Sequence, residues 1–210
     1  MRHGFTLIEL MIVIAIIAII AAIAIPSLLE ARVSGNETKA AADLKNGFHA
    51  AQTIFANGAS SDVDGDGKGE FATDHRWLAG STGGTTVGTN TSTRPVQSLS
   101  ALYNVADQTA IGAYRYKIDT DTAAGTNNDY NNGESFWAGY ASPVSVSQAR
   151  RGFAIDVQGF VLASKASVTD ANLIDIANYG GAAATGVKMF GGDPTTGAFG
   201  TGADSAPYQK

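Results

Sequence analysis

One carboxylate stands inside an apolar wall near the start of the chain. Glu9 is preceded by Phe5-Thr6-Leu7-Ile8 and followed by an unbroken apolar run from Leu10 to Ile25. An ionised carboxylate in hydrocarbon costs about 3 kcal/mol even on lenient insertion scales, so such a residue marks a site that a positive or hydrogen-bonding partner must complete. A second group of oxygens lies at Asp62-Val63-Asp64-Gly65-Asp66-Gly67-Lys68-Gly69-Glu70. Carboxylates at alternate positions with glycine at the sixth suit a calcium loop, where oxygens converge on one hard cation while the backbone turns sharply. On this reading Asp62, Asp64 and Asp66, with Glu70 or Asp74, ligate Ca2+. The twelfth position is Thr73 rather than glutamate, and the same segment also reads as a solvated Asp/Gly turn that binds nothing. The Asn-rich segment Asp119 to Asp129 has poorer spacing and reads as loop.

Covalent and metal catalysis lack their usual parts. There is no cysteine, and the three histidines are His3 near the N-terminus, His49 on a helical stretch and His75, which reads as a surface residue. Gly80–Gly88 lacks the lysine of a phosphate loop, and no G-x-S-x-G elbow occurs. The chain is therefore not expected to be an enzyme. With a formal net charge of −5 and no basic run, it offers no nucleic-acid groove. Trp77, Trp137, Phe136, Tyr140, Tyr114 and Tyr116 could form a sugar- or partner-binding surface, or pack a core. Spacing of two places Tyr114 and Tyr116 on one strand face.

These residues must be positioned by a few elements. Phe5 to Ile25 is long enough, at 1.5 Å per residue, to cross a hydrocarbon layer of about 30 Å, and it is apolar on every face. It reads as a membrane helix rather than a secretory signal, because no small-x-small cleavage site follows and any cut must precede the helix. Arg2 is the positive flank that keeps the N-terminus cytoplasmic, making a single-pass membrane protein with its bulk exported. Pro26 leaves the Ala22 carbonyl without its helical partner, so the helix should kink or locally melt there, or simply end. A second helical stretch from Leu28 to about Phe55 places Val33, Ala40, Leu44, Phe48, Ala51 and Phe55 on one stripe. Its other side, with Glu37, Lys39, Asp43, Lys45, His49 and Gln52, should face water. Ser34-Gly35 could fray it.

After Asn57-Gly58 the composition shifts to Gly, Ser, Thr, Asn and Asp. Strands are expected at 113–118, 135–140, 153–157 and 160–164, the last two forming an antiparallel hairpin around Gln158-Gly159. The stretches 81–93, 119–133 and 180–210 should be mobile or ordered by partners. The expected divisions are a short N-terminal segment at 1–4, a membrane helix at 5–26, an amphipathic helix at 27–57 and an exported β-rich domain at 58–210.

Gly4-Phe5-Thr6-Leu7-Ile8-Glu9 closely resembles the cleavage motif of type IV pilins and of type II secretion pseudopilins. The resemblance covers about Met1 to Phe55. It implies that a prepilin peptidase cuts after Gly4, that 1–4 is a leader and 5–26 a filament-core helix, and that Phe5 becomes the methylated terminus. It further implies that the Glu9 carboxylate neutralises the terminal amine of a neighbouring subunit as helices bundle into a filament. Pro26 stands where family members carry a proline. The implied fold is α+β and pilin-like, a long N-terminal helix packed on a small antiparallel sheet. The implied function is structural, as a homo-oligomeric filament built by inner-membrane assembly machinery. Many pilins close a C-terminal loop with a disulfide; the absence of cysteine departs from that pattern and leans toward a pseudopilin of a periplasmic pseudopilus. Some pseudopilins bind structural calcium. A surface-fibre pilin for adhesion, motility or uptake is one alternative, and a non-polymerising membrane-tethered calcium- or carbohydrate-binding module is another.

Overall fold

The computed structural model describes residues 5–57, 69–72, 74–80, 86–87, 90–91, 97–106, 109–119, 137–165, 190–191, 200–201 and 205–208. Helix α1 runs from Leu7 to Ala42, passes into a π-helical stretch at Asp43–His49, and continues as α2 at Ala50–Ala56. Together they form 50 residues of unbroken helix, about 75 Å long. Ile, Ala, Leu and Met fill the first half, helical despite the β-branched Ile because a helix satisfies its own backbone in an apolar setting, and Pro26 lies inside α1 without ending it. A single proline removes one bond of the ladder, while the turns on either side keep theirs, so the helix is not melted at this point. Ser34-Gly35 is likewise passed without a break.

From Asn36 onward the helix meets the head. Ala40, Leu44, Phe48, Ala51 and Phe55 are buried, as the apolar stripe predicts, whereas Val33 is only half-buried. The seam advances by four residues from Ala40 to Leu44 to Phe48. In an α-helix steps of four drift around the axis, and the wider π-helical turns hold those three side chains in line.

Two-stranded β1 (Thr86–Val87) and β2 (Asn90–Thr91) precede the main sheet, and helix α3 occupies His75–Leu78. The main sheet contains β3 (Ala110–Ile111), β4 (Tyr114–Asp119), β5 (Ala138–Pro143), β6 (Phe153–Asp156) and β7 (Val161–Ser164). A pair, β8 (Phe190–Gly191) and β9 (Gly200–Thr201), is followed by β10 (Ser205–Pro207). The six-stranded sheet has the order β10-β7-β6-β5-β4-β3, and every pairing is antiparallel. The architecture is α+β and pilin-like.

The expected β6–β7 hairpin is present, with Gly159 at φ 79° in its turn. Asp156 fixes that turn, its Oδ1 accepting from the amides of Gln158 at 3.0 Å and Phe160 at 3.4 Å. Gly139 in β5 lies under Leu44 of the helix. A Cβ there would lie 3.0 to 3.1 Å from the Trp137 and Ile155 side chains and 3.5 Å from Leu44, so a larger residue would first have to displace Trp137 and Ile155 beneath the helix. The C-terminal stretch differs from expectation. Its last part is ordered by the chain itself, because β10 pairs with β7 through Ser205↔Ser164, Ala206↔Ala163 and Pro207↔Leu162.

Candidate assembly site

The N-terminus of α1 is closed by a reciprocal pair. Thr6 is the N-cap, in an extended conformation, and its Oγ1 accepts from the Glu9 amide at 3.3 Å. Glu9 reaches back, its Oε2 accepting from the Thr6 amide at 2.8 Å and from the Thr6 hydroxyl at 2.7 Å. Helix starts leave amides without partners, and a T-x-x-E sequence satisfies two of them at once. That signal was legible in Thr6-Leu7-Ile8-Glu9 and points to a local role for the carboxylate alongside any intersubunit one. Phe5 is 91% exposed beside this box. Thus the buried-charge problem of Glu9 has an answer within one chain, and the answer is exchangeable, since a cationic amine offered nearby is a stronger partner than a hydroxyl.

Beyond the box, large side chains from Leu7 to Leu29 project on all sides with nothing packed on them in the single chain. Such a surface needs lipid or other helices around it.

Residues 1–25 match the prokaryotic N-terminal methylation motif. This is the prepilin-type motif of type IV pilins and pseudopilins. The match spans the apolar helix to Ile25, and no curated protein or solved structure matches the chain. In a prepilin-type chain the motif implies peptidase processing, and a filament subunit with a membrane-anchoring helix and an exported domain. It indicates a structural subunit rather than an enzyme. Gly4 lies outside the described residues, whereas Phe5, Thr6 and Glu9 are placed together at the helix start.

Where the prepilin-type helix joins the head, polar residues of the helix lock it in place. Glu37 is buried, and its Oε1 accepts from the amides of Arg150 and Arg151 at 3.2 Å each. Its Oε2 accepts from Arg151 Nε at 2.8 Å and Nη2 at 2.7 Å. Beside it, Asn36 Nδ2 donates to the Gln148 carbonyl at 2.8 Å. A buried charge is tolerable when paired and fully hydrogen-bonded, and Glu37 meets both conditions. Asp43 Oδ2 accepts from Lys39 Nζ at 2.6 Å and from the Tyr116 hydroxyl at 2.9 Å. Burial pushes the Tyr116 phenol far above its ordinary range, and the neighbouring Asp43 carboxylate pushes it the same way. Gln52, wholly buried, donates from Nε2 to the Ala72 carbonyl at 2.7 Å and accepts from the Ala72 amide at 2.8 Å. The polar side of the helix therefore does not simply face water. Glu37 and Gln52 point inward because each saturates backbone groups of the head that would otherwise be buried without partners.

The acidic segment is only partly placed. Asp62, Asp64 and Asp66 lie outside the described residues; Glu70 and Asp74 are buried. Asp74 caps α3, accepting on Oδ1 from the Arg76 amide at 2.9 Å and on Oδ2 from Arg76 Nε at 2.7 Å and from Arg76 Nη2. Burial pushes its pKa up, but the hydrogen bonds from Arg76 outweigh burial and hold it below the ordinary value. Among the described residues, no group of three or more His, Asp or Glu side chains is arranged to hold a metal.

His75 is a core residue, 1% exposed, tilted toward the Phe48 ring at 6.2 Å. The N-cap at Asp74 turns it inward together with Trp77 and Leu78. Trp77, Trp137, Tyr114, Tyr116 and Tyr140 are all buried, so these aromatics pack the core and offer no sugar platform; Phe136 lies outside the described residues.

Proposed function

We propose that the chain is a pseudopilin, a subunit of a periplasmic filament serving export of folded proteins, assembled after a prepilin peptidase removes Met1–Gly4. The observation that carries the filament reading is the methylation motif at the head of a bare apolar helix, with the head gripping only the helix's second half. The lean toward a pseudopilin rests on the absence of cysteine. In this reading the helix leaves lipid for a bundle of like helices, exchanging one apolar environment for another. Glu9 gives up its Thr6 partners for the amine of Phe5 on a neighbouring subunit, a pairing that fixes axial register because a mismatch strands both charges. Pro26 is a point where the helix yields during that transfer, having one fewer hydrogen bond there.

Calcium belongs to the same proposal. Asp62, Asp64 and Asp66, with Glu70, would hold Ca2+ through carboxylate oxygens and pin the loop of a cysteine-free head outside the cytoplasm. Asp74 joins them only if Arg76 releases it. Chelation should then lower the melting temperature of the full chain by several degrees and calcium should restore it; identical melts and no bound calcium by elemental analysis would end this part.

The deciding experiment is mass spectrometry of the N-terminal peptide in sheared surface material and in inner membrane from native cells. Methylated Phe5 confined to the membrane fraction is expected. Its abundance in sheared fibres would make the chain a surface pilin, and a retained Met1 would make it a plain anchor.

A further inference from the structure

We propose that Ser205–Tyr208 is a non-covalent latch that closes the head, and that its closure is transmitted through Arg151 to the bonds holding the head on helix α1. The first half of the argument is the seat. β10 covers the edge of β7, and beyond it the Tyr208 amide donates to the Val161 carbonyl at 2.9 Å. Pro207 has no N–H, so this edge is a poor template for a further strand. The ring of Tyr208 stands edge-on to Phe153, centroids 5.2 Å apart at 82°, and the Arg151 guanidinium lies 5.5 Å from its centroid. With no cysteine in the chain, contacts of this kind are what hold the C-terminal stretch to the sheet.

The second half is the linkage. The guanidinium that faces Tyr208 and Phe153 is the one that donates two hydrogen bonds to Glu37 Oε2 on α1. A planar cation resting against two rings keeps its fork aimed, and the fork is what grips the carboxylate. Ser164, paired opposite Ser205, provides a parallel route. Its amide donates to the Gly152 carbonyl at 2.9 Å, and its hydroxyl accepts from the Gly152 amide at 3.0 Å. Gly152 directly follows Arg150 and Arg151, whose amides end on Glu37 Oε1. The Tyr114 hydroxyl steadies the same point, donating to the Arg151 carbonyl at 2.8 Å. The last described residues and the helix that enters the membrane or filament thus share one arginine.

The test is residue-resolved amide hydrogen exchange on the full chain in detergent micelles, comparing wild type, Tyr208→Ala and Tyr208→Phe. Tyr208→Ala should speed exchange at Val161–Ser164 and at the Arg150 and Arg151 amides at least tenfold, while leaving β4 and β5 unchanged. Tyr208→Phe keeps the ring and should match wild type at both places. Faster exchange in β7 alone would show a latch with no transmission and overturn the proposal. So would unchanged exchange everywhere, an equal effect of Phe and Ala, or a uniform rise through β4 and β5, which would make Tyr208 one more core residue.

Discussion

Glu9→Gln separates the capping role that the geometry gives this side chain from the intersubunit role proposed for it. Glutamine serves in a capping box as glutamate does, so the Thr6 amide keeps its acceptor and α1 keeps its first turn. What glutamine lacks is charge, and with it the ability to neutralise a buried amine on a neighbouring Phe5. Leaving one member of a buried pair without its partner costs about 3 to 5 kcal/mol. In the free subunit both donors to Glu9 Oε2 come from Thr6 and are retained by the variant, so the loss falls almost wholly on the assembled state. Taking the lower end, about 3 kcal/mol per subunit corresponds to a roughly hundredfold fall in the equilibrium constant for adding a subunit. Glu9→Ala loses the cap as well, about 1 kcal/mol more in the isolated helix. The assay is the ratio of filament to membrane pool at matched expression, with the processed N-terminus verified by mass spectrometry. Near-complete loss of filament is expected for both variants. If Glu9→Gln assembles like wild type while Glu9→Ala does not, the carboxylate is only a helix cap and the intersubunit pair is refuted.

Three further outcomes follow from the head. Gln52→Ala leaves the buried Ala72 amide and carbonyl without partners and should cost about 2 to 4 kcal/mol in urea unfolding followed by Trp77 and Trp137 fluorescence; a loss under about 1 kcal/mol would mean another group takes over both bonds. Asp74 has a folded pKa held below its ordinary value of 3.8, so its contribution is present above that value and disappears as pH falls through the folded pKa. The stability gap between wild type and Asp74→Asn should accordingly be flat at neutral pH and close in strong acid, and a gap that widens on acidification would contradict the Arg76 pairing. Gly159→Ala combines a positive φ with a Cβ 2.9 Å from His49 Nε2, and should lower stability by about 2 kcal/mol, measured by thermal melting; an unchanged melt would show that the turn re-forms without strain.

Much of this molecule is legible in its residues, and the illegible parts share a cause. The apolar run, the stripe Ala40-Leu44-Phe48-Ala51-Phe55 and the Gln158-Gly159 hairpin are periodic patterns, so each follows from nearest neighbours in sequence. Glu37 and Gln52 escape that logic. Their partners, Arg150, Arg151 and Ala72, are distant in sequence or are backbone atoms, which carry no side-chain signature. His75 is inward only because Asp74 starts a short helix beneath Phe48. β10 was hidden for a related reason: Ser205-Ala206-Pro207 has little strand propensity of its own, and it is ordered by the open edge of β7. The box at Thr6 and Glu9 is the exception, a local motif that was fully readable, although the apolar setting of Glu9 directs attention to a distant partner.

The division of the helix explains how one element can serve two environments. From Leu10 to Ile25 its surface is apolar throughout, and up to Leu29 it carries no contact that fixes it to the head, so it is free to be surrounded by lipid or by other helices. From Asn36 to Phe55 it is held by a half-buried ion pair, by hydrogen bonds to Gln148 and Ala72, and by the aromatic core around Phe48. Because hydrocarbon and a bundle of like helices are nearly equivalent solvents for Ile and Leu, little apolar free energy opposes transfer of the first half between them. The discrimination must then come from the polar atoms that the transfer re-pairs. On the proposed filament reading, the buried-charge problem in the first half of this helix is concentrated at Glu9 and the amine that processing would expose at Phe5, which is how so short a motif would govern a long helix.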